Sequence, residues 1–434
     1  MNSSSLALYG GSPVRTAPWP TWPRSDSRTE QTVLDVLRSG RWAISETSNG
    51  EELYERRFAE AFAAYHALPY CVPTTSGTSA LTIAFEALGL RRGAEVLVPG
   101  LTWVACASAV AGVGLVPILV DIDPQNLCMS PDAAEAAITP ATEAILLVHY
   151  GCCTADIAAF LDICRRHDLA LVEDCAQAHG ARYDGRVVGT FGDIGVYSMQ
   201  ESKVLTAGEG GAAVTADPRL YEAMAQYRAD GRGYAASAPL PGMPNLDERG
   251  DVQGRNLCLS ELQAAVLLGR LAQLDAENAH RQRMARVLDQ LLDGIGSVTT
   301  ISAPPRMTSR TYYRYFIRLD TDHRNAGESD AIRQELGAEL GLLCEPVHDP
   351  LNACTLYNPL KSPHKYDPGI LPQLDPQRFD LPEAHQARRE LVTLPHRVLL
   401  GSERDMEDIA TSVTKVLSNH SLGRTKSPIS GSQP

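Results

Sequence analysis

Apolar residues recur along this chain with two periods, and their alternation predicts the architecture. Short apolar runs rich in β-branched residues occur at 95–98, 116–120, 144–148, 169–173 and 195–198, with the length and composition of buried strands. Between several of them lie Ala- and Leu-rich helical stretches such as 131–137 and 155–167, and at 53–66 Tyr54, Phe58, Phe62 and Tyr65 share one helical face. This βα alternation predicts an α/β fold, a large domain whose mostly parallel sheet is covered by helices. Residues 233–255 read as a loop, and helical text runs from Ser260 to about Leu292. A smaller C-terminal α/β unit is expected beyond it, with a strand-like TYYRYFIRL and a helix-like final stretch. The expected divisions are an irregular arm over 1–30, a large domain over 31–292, a small domain over 293–419 and a disordered tail over 420–434.

Sheets of this kind bind ligands at the carboxyl ends of their strands, so the residues after each run carry the chemistry. In VEDCAQAHGA, Asp174 sits where a strand leaves the sheet. A carboxylate there is costly unless a cation meets it. The protonated ring nitrogen of pyridoxal 5'-phosphate (PLP) is such a cation, and the plain alternative is an Asp capping the next turn. Gln177, close behind, has an amide suited to the phenolic oxygen of the same ring. In GDIGVYSMQESKVLTAGEGGAAV, a strand leads through Ser198 to Lys203, with Gly208, Gly210 and Gly211 beyond. A desolvated Lys near a cation loses its proton readily, as an amine that forms a Schiff base must. In PTTSGTSALTIAFEAL, Gly77 and Thr78 open a helix in a small-residue loop. Free amides and hydroxyls there make an anion cup, although an ordinary Ser/Thr cap looks the same. Trp103, in VPGLTWVACASAV, is placed either to stack on a ring or to pack in the core.

Composition narrows the function classes. The chain has 434 residues and a formal charge of −13. That argues against nucleic-acid binding, which requires Lys and Arg to neutralise phosphates. No apolar run is long enough to span a membrane. Ten cysteines occur without a CxxC spacing, and the opening MNSSSLALYGGSPVR lacks the charged and apolar regions of a leader peptide. Reduced thiols, a cytoplasmic location and no metal site are expected.

Together these segments resemble the DegT/StrS-type sugar aminotransferases, PLP enzymes of fold type I, over about residues 6–418. The resemblance rests on SGTSAL, PGLTWVA, VEDCAQAHGA, SMQESK and GEGGA. It implies that Lys203 carries PLP as a Schiff base and moves the proton, that Asp174 stabilises the ring charge, and that Trp103 restricts the ring plane. It also implies that Gly77, Thr78 and Ser198 anchor the phosphate. GRNLCLSELQAA resembles the segment whose Asn reaches the phosphate of the neighbouring subunit, which points to Asn256 and a homodimer. LALYGGSPVR, SGRWAIS, the Met-Gln of SMQESK, CEPVHDPLN and LPHRVLLG are similar to the aminocyclitol branch. The implied reaction moves an amino group from L-glutamine, or another amino acid, to scyllo-inosose or 2-deoxy-scyllo-inosose, as in aminoglycoside antibiotic biosynthesis.

A polyhydroxylated acceptor needs hydrogen-bonding groups, and the candidates are Trp42, Ser45, His149, Glu201, Tyr312, Tyr313 and His348. Each has a core or surface alternative. Glu201 stands where an uncharged residue is expected, and His396 is expected to position its loop. Three other readings remain open. One is a nucleotide-linked keto-sugar acceptor, with Arg228 and Arg232 at the entrance. Another is a 3-amino-5-hydroxybenzoate synthase-like activity. The last is a non-catalytic scaffold, although such relatives usually lose the Lys that is present here.

Overall fold

The computed structural model describes residues 5–235, 240–319 and 326–424. The chain enters through α1 (Ser27–Ser39) and α2 (Tyr54–Tyr65) and then alternates. The elements are β1 (Tyr70–Thr74), α3 (Gly77–Leu88), β2 (Glu95–Pro99), α4 (Ala105–Gly112), β3 (Val116–Val120), α5 (Pro131–Ala137), β4 (Thr142–Val148), α6 (Ile157–His167) and β5 (Ala170–Asp174). Two short strands, β6 (Arg182–Tyr183) and β7 (Arg186–Val187), precede β8 (Ile194–Ser198) and β9 (Gly211–Thr215). The central sheet runs β1-β9-β8-β5-β4-β2-β3. Strand β9 lies antiparallel to both its neighbours, and the remaining pairings are parallel.

The α/β expectation therefore holds, and the reason lies in the side chains. Strands β2 to β5 are covered on both faces by helices, so nearly every position is buried and the sequence shows continuous apolar runs. On α2, Phe58 and Phe62 are fully buried, with Tyr54 and Tyr65 at the margins. Helix starts are marked by local chemistry. Ser76, Ser130, Asp156, Asp217 and Ser260 each accept a first-turn amide, worth about 1 kcal/mol apiece. Glu261 does the same across the fold, taking the amides of Tyr54 and Glu55 at the start of α2.

Beyond the sheet come α7 (Pro218–Arg228), β10 (Arg232–Tyr234), β11 (Leu246–Glu248), α8 (Glu261–Leu271) and α9 (Leu274–Leu292). Strands β10 and β11 pair antiparallel within the stretch read as loop. Their three residues apiece are too few to show a period. A second sheet follows, β12 (Val298–Thr300), β14 (Arg314–Leu319) and β15 (Leu391–Pro395), in the order β12-β14-β15, while β13 (Met307–Ser309) pairs with β6. Helices α10 (Ala326–Leu340), α11 (Pro382–Glu390) and α12 (Glu403–Arg424) accompany it.

Both ends depart from expectation. Helix α12 runs to Arg424, past the predicted start of the tail, and the rest of the tail lies outside the described residues. The arm, expected to be irregular to residue 30, is held by α10 and α12 and gives way to α1 at Ser27. Arg15 pairs with Asp405 and Asp408, Trp19 Nε1 donates to the Leu340 carbonyl, and Glu339 takes the Ala7 and Val14 amides.

Candidate active site

The carboxyl ends of β1, β5 and β8 open on one cavity of about 550 Å³. Asp174 closes β5 and is 5% exposed. Its Oδ1 accepts the Ala176 amide at 2.9 Å, and the Cys106 thiol donates to its Oδ2 at 3.2 Å. Among the described residues no Lys, Arg or His forms an ion pair with it. Burial, followed by the nearby Asp174 charge, pushes the Cys106 thiol well above its ordinary pKa, so it stays a neutral donor. A buried carboxylate with one thiol and one amide is under-compensated, and its free side faces the cavity.

Lys203 reaches the same cavity from the connection between β8 and β9. Met199 N donates to Gly210 O, Glu201 N to Gly208 O and Lys203 N to Gln200 O, folding this segment into a compact turn. Gly208 sits there at φ +81°, a region unfavourable to other residues. Ser202 braces the turn, donating to Gln200 Oε1 and lying 3.0 Å from the Tyr313 hydroxyl. The Lys203 Nζ stands 4.1 Å from the centre of the Tyr313 ring. Burial opposes ionisation of Tyr313, but the charges of Lys203 and Arg314 outweigh it and hold the phenol below its ordinary value.

The third wall is the N-terminus of α3. A Cβ on Gly77 would fall 2.6 Å from the Ser198 Cβ, so only glycine lets the helix start close against the end of β8. Ser76, Gly77, Thr78 and Ser198 together line that end of the cavity. Free helix-start amides beside hydroxyls suit a dianionic phosphate. Gln177 lines the cavity as well, and its Oε1 accepts the Gly151 amide at 2.7 Å. Opposite, Trp103 is half exposed, with its ring 5.6 Å from that of His348. Tyr150 holds His348 by a 3.2 Å contact to Nδ1. Burial, reinforced by Lys203 and Arg314, depresses the His348 pKa to about 4, so the ring is neutral near pH 7.

An unpaired strand-end carboxylate, a buried amine and an anion cup now meet in one cavity. The sequence profile of the DegT/DnrJ/EryC1/StrS aminotransferases matches residues 23–414. The chain belongs to this family. It is 49% identical over 423 residues to L-glutamine:2-deoxy-scyllo-inosose aminotransferase of Streptomyces kanamyceticus, covering 97% of this chain and 99% of that one. It is 46% identical to L-glutamine:scyllo-inosose aminotransferase of Streptomyces griseus, covering 96% and 98%. The crystal structure of 3-amino-5-hydroxybenzoic acid synthase superposes with a TM-score of 0.80 at 27% identity, covering 93% of this chain and all of that one.

Within this aminotransferase, several candidate residues lie elsewhere. His149 is wholly buried away from the cavity. The Ala155 amide donates to its Nδ1, which leaves Nε2–H to donate to Glu173 at 3.1 Å. Tyr312 is buried against Arg310 and Tyr315. It leaves Tyr313 as the member of the pair that meets the cavity. Glu201 is exposed at an adjoining groove beside Trp22 and His396; Gln200 and Ser202 line both that groove and the cavity, whereas Glu201 lines the groove alone. His396, expected to position its own loop, instead has its Nε2 donate to the Ser202 carbonyl, bracing the Lys203 turn. Trp42, Ser45 and Asn256 are exposed and line no part of this chain's cavity. Arg228 is buried in an ion pair with Glu55, and Arg232 pairs with Asp230. Neither lines the cavity.

The sequence reading missed Cys106, Ser202, Arg314 and Glu345. Cys106 carried a signal. It follows Thr102 by four residues at the mouth of α4, and the two side chains meet at 3.2 Å. Glu345 stands three residues before His348 in the CEPVHDPLN segment, but only the second sheet brings it to the cavity.

Proposed function

We propose that this aminotransferase uses PLP held on Lys203 to move an amino group from L-glutamine to a keto-cyclitol of the scyllo-inosose class. The observation that carries the reading is the convergence of Lys203 with a buried Asp174 that lacks a cationic partner among the described residues. The names of the relatives support the donor and the acceptor. The residues fit the cofactor. Asp174 would meet its ring nitrogen, Ser76, Gly77, Thr78 and Ser198 its phosphate, Gln177 its phenolic oxygen and Trp103 its ring face. When bound, PLP supplies the electron sink that makes the donor Cα–H acidic.

The protein's own part follows from the geometry. Lys203 Nζ would take the Cα proton of the donor and pass it to the cofactor within the same half-reaction, and would run the transfer in reverse for the acceptor. Tyr313 and Ser202 keep that amine over the cavity, and His396 braces the turn from behind. Asp174, on the cavity wall beside the ring nitrogen, would pair with it and keep the ring electron-poor. His348, neutral and tethered by Tyr150, is free to hydrogen-bond acceptor hydroxyls.

The reading includes a homodimer with shared sites. Asn256 is exposed outside its own cavity, and the nearby Glu261 amide donates to the Trp42 carbonyl, which places Trp42 beside the same segment. Asn256, Trp42 and Ser45 would then complete the partner's site. A cytoplasmic location agrees with ten unpaired cysteines. No described helix is long and apolar enough to cross a membrane.

Borohydride treatment of the purified protein tests the assignment. The expected result is a yellow protein that bleaches and carries the reduced cofactor on the Lys203 peptide. A colourless protein, or label on another lysine, contradicts it.

A further inference from the structure

One cavity must take two unlike molecules in turn. An amino-acid donor brings a carboxylate, whereas a keto-polyol brings a carbonyl and neutral hydroxyls. A permanently unpaired cation in the wall would suit the first and be left uncompensated against the second. Arg314 and Glu345 both line the cavity. Their nearest approach, Nη2 to Oε2, is 3.7 Å, longer than the roughly 2.7–2.9 Å of a charge-assisted hydrogen bond. Their side chains are 26% and 47% exposed. Both backbones are nonetheless clamped. Arg314 opens β14 in register with Pro395, and the Glu345 carbonyl accepts the amide and the hydroxyl of Thr393.

The position relative to the chemistry is also defined. The Arg314 guanidinium carbon lies 5.1 Å from the centre of the Tyr313 ring, and Lys203 Nζ lies 4.1 Å from that same centre. The reacting amine and the guanidinium thus share one aromatic wall. Arg388, lining the adjoining groove, is by contrast held by Asp349 at 2.8 Å.

We propose that Arg314 and Glu345 form an exchangeable pair that gives one cavity two specificities. Arg314 leaves Glu345 to bind the α-carboxylate of the amino-acid donor, and Glu345 then faces solvent. When the polyol enters, Arg314 returns to Glu345, whose carboxylate accepts hydrogen bonds from ring hydroxyls. No covalent bond changes in the exchange. The inference rests on the donor and acceptor reading above.

The test compares wild type with Arg314→Gln, Arg314→Lys and Glu345→Gln in separate half-reactions. The donor half uses L-glutamine and L-glutaminol, in which the carboxylate is replaced by CH2OH. The acceptor half uses scyllo-inosose. Calorimetric binding of glutarate, an unreactive dicarboxylate, gives a readout independent of turnover. Loss of a charge-assisted contact predicts that Arg314→Gln needs about 30-fold more L-glutamine for half-saturation, with little change in maximal rate. L-Glutaminol and scyllo-inosose should shift less than about threefold in that variant, and Arg314→Lys should recover part of the L-glutamine affinity. Glu345→Gln should need about tenfold more scyllo-inosose without losing L-glutamine affinity. Glutarate binding should fall in Arg314→Gln and persist in Glu345→Gln.

Equal losses for L-glutamine and L-glutaminol in Arg314→Gln, or unchanged glutarate affinity, would overturn the proposal. If Arg314→Gln does not fold, the wild type and Glu345→Gln decide. Equal wild-type half-saturation by L-glutamine and L-glutaminol overturns it, as does unchanged scyllo-inosose half-saturation in Glu345→Gln. Failure of the transamination reading itself looks different. Wild type would then turn over no donor, while glutarate would still report on Arg314.

Discussion

Glu173 and Asp174 are neighbours at the end of β5, face opposite sides of the sheet, and have opposite fates. Glu173 is wholly buried and fully answered. It accepts the Gly189, Phe191 and Gly192 amides and the His149 ring. Burial raises its pKa, and the His149 contact with the Gly192 and Gly189 amides overrides that and holds it below the ordinary value. Asp174 has one amide and one thiol, and a cavity on its free side. A charge that the fold satisfies completely is structural. A charge that the fold buries and leaves short of a partner is kept for something else.

The largest break in this comparison is at the amine. Lys203→Ala should lower turnover about 10,000-fold or more, because it removes the residue proposed as both nucleophile and proton carrier. Circular dichroism and melting temperature should stay near wild type. Asp174→Asn comes next, with kcat/KM falling about 100- to 1,000-fold as the stabilising charge is lost, again without loss of melting temperature. Glu173→Gln should do the reverse. Its buried contacts predict about 3–5 kcal/mol of destabilisation in denaturant unfolding, and the molecules that remain folded should keep most of their activity.

Acid should act through the structural side. Burial depresses the pKa of His66, packed against Phe62 and Tyr197, to about 4. The unfolded chain binds that proton near pH 6.5, so the stability His66 contributes is present above about 6.5 and is lost as pH falls towards about 4. Melting temperature should drop between pH 7 and pH 5. His66→Phe should lessen the drop, worth about 1–2 kcal/mol at pH 5. The smallest effect is expected at Cys106→Ala, with kcat/KM reduced a few-fold as Asp174 loses one neutral donor.

The sequence made some of this legible and hid the rest for identifiable reasons. The central strands were readable because burial on both faces leaves continuous apolar runs, such as 116–120, which match β3 in full. That Asp174, Lys203, Gly77 and Ser198 line one cavity was readable because each lies at or after a strand end or opens a helix. His149 misled because it also follows a strand, β4, and only the three-dimensional pairing with Glu173 shows that it turns inward. Tyr312 and Tyr313 could not be separated by periodicity, since β14 begins one residue later and Thr311–Tyr313 is not strand. Arg314 and Glu345, 31 residues apart, meet only because β15 brings Thr393 between the two segments.

The most direct test of the central claim is a single turnover of the purified enzyme, with each product quantified per chain. L-Glutamine alone should release about one equivalent of its 2-oxo acid per active site and then stop, the amino group staying on the enzyme. Adding scyllo-inosose or its 2-deoxy analogue should then yield the aminated cyclitol and restore the starting state. No burst of oxo acid, or amination only of a nucleotide-linked keto-sugar, would contradict the account.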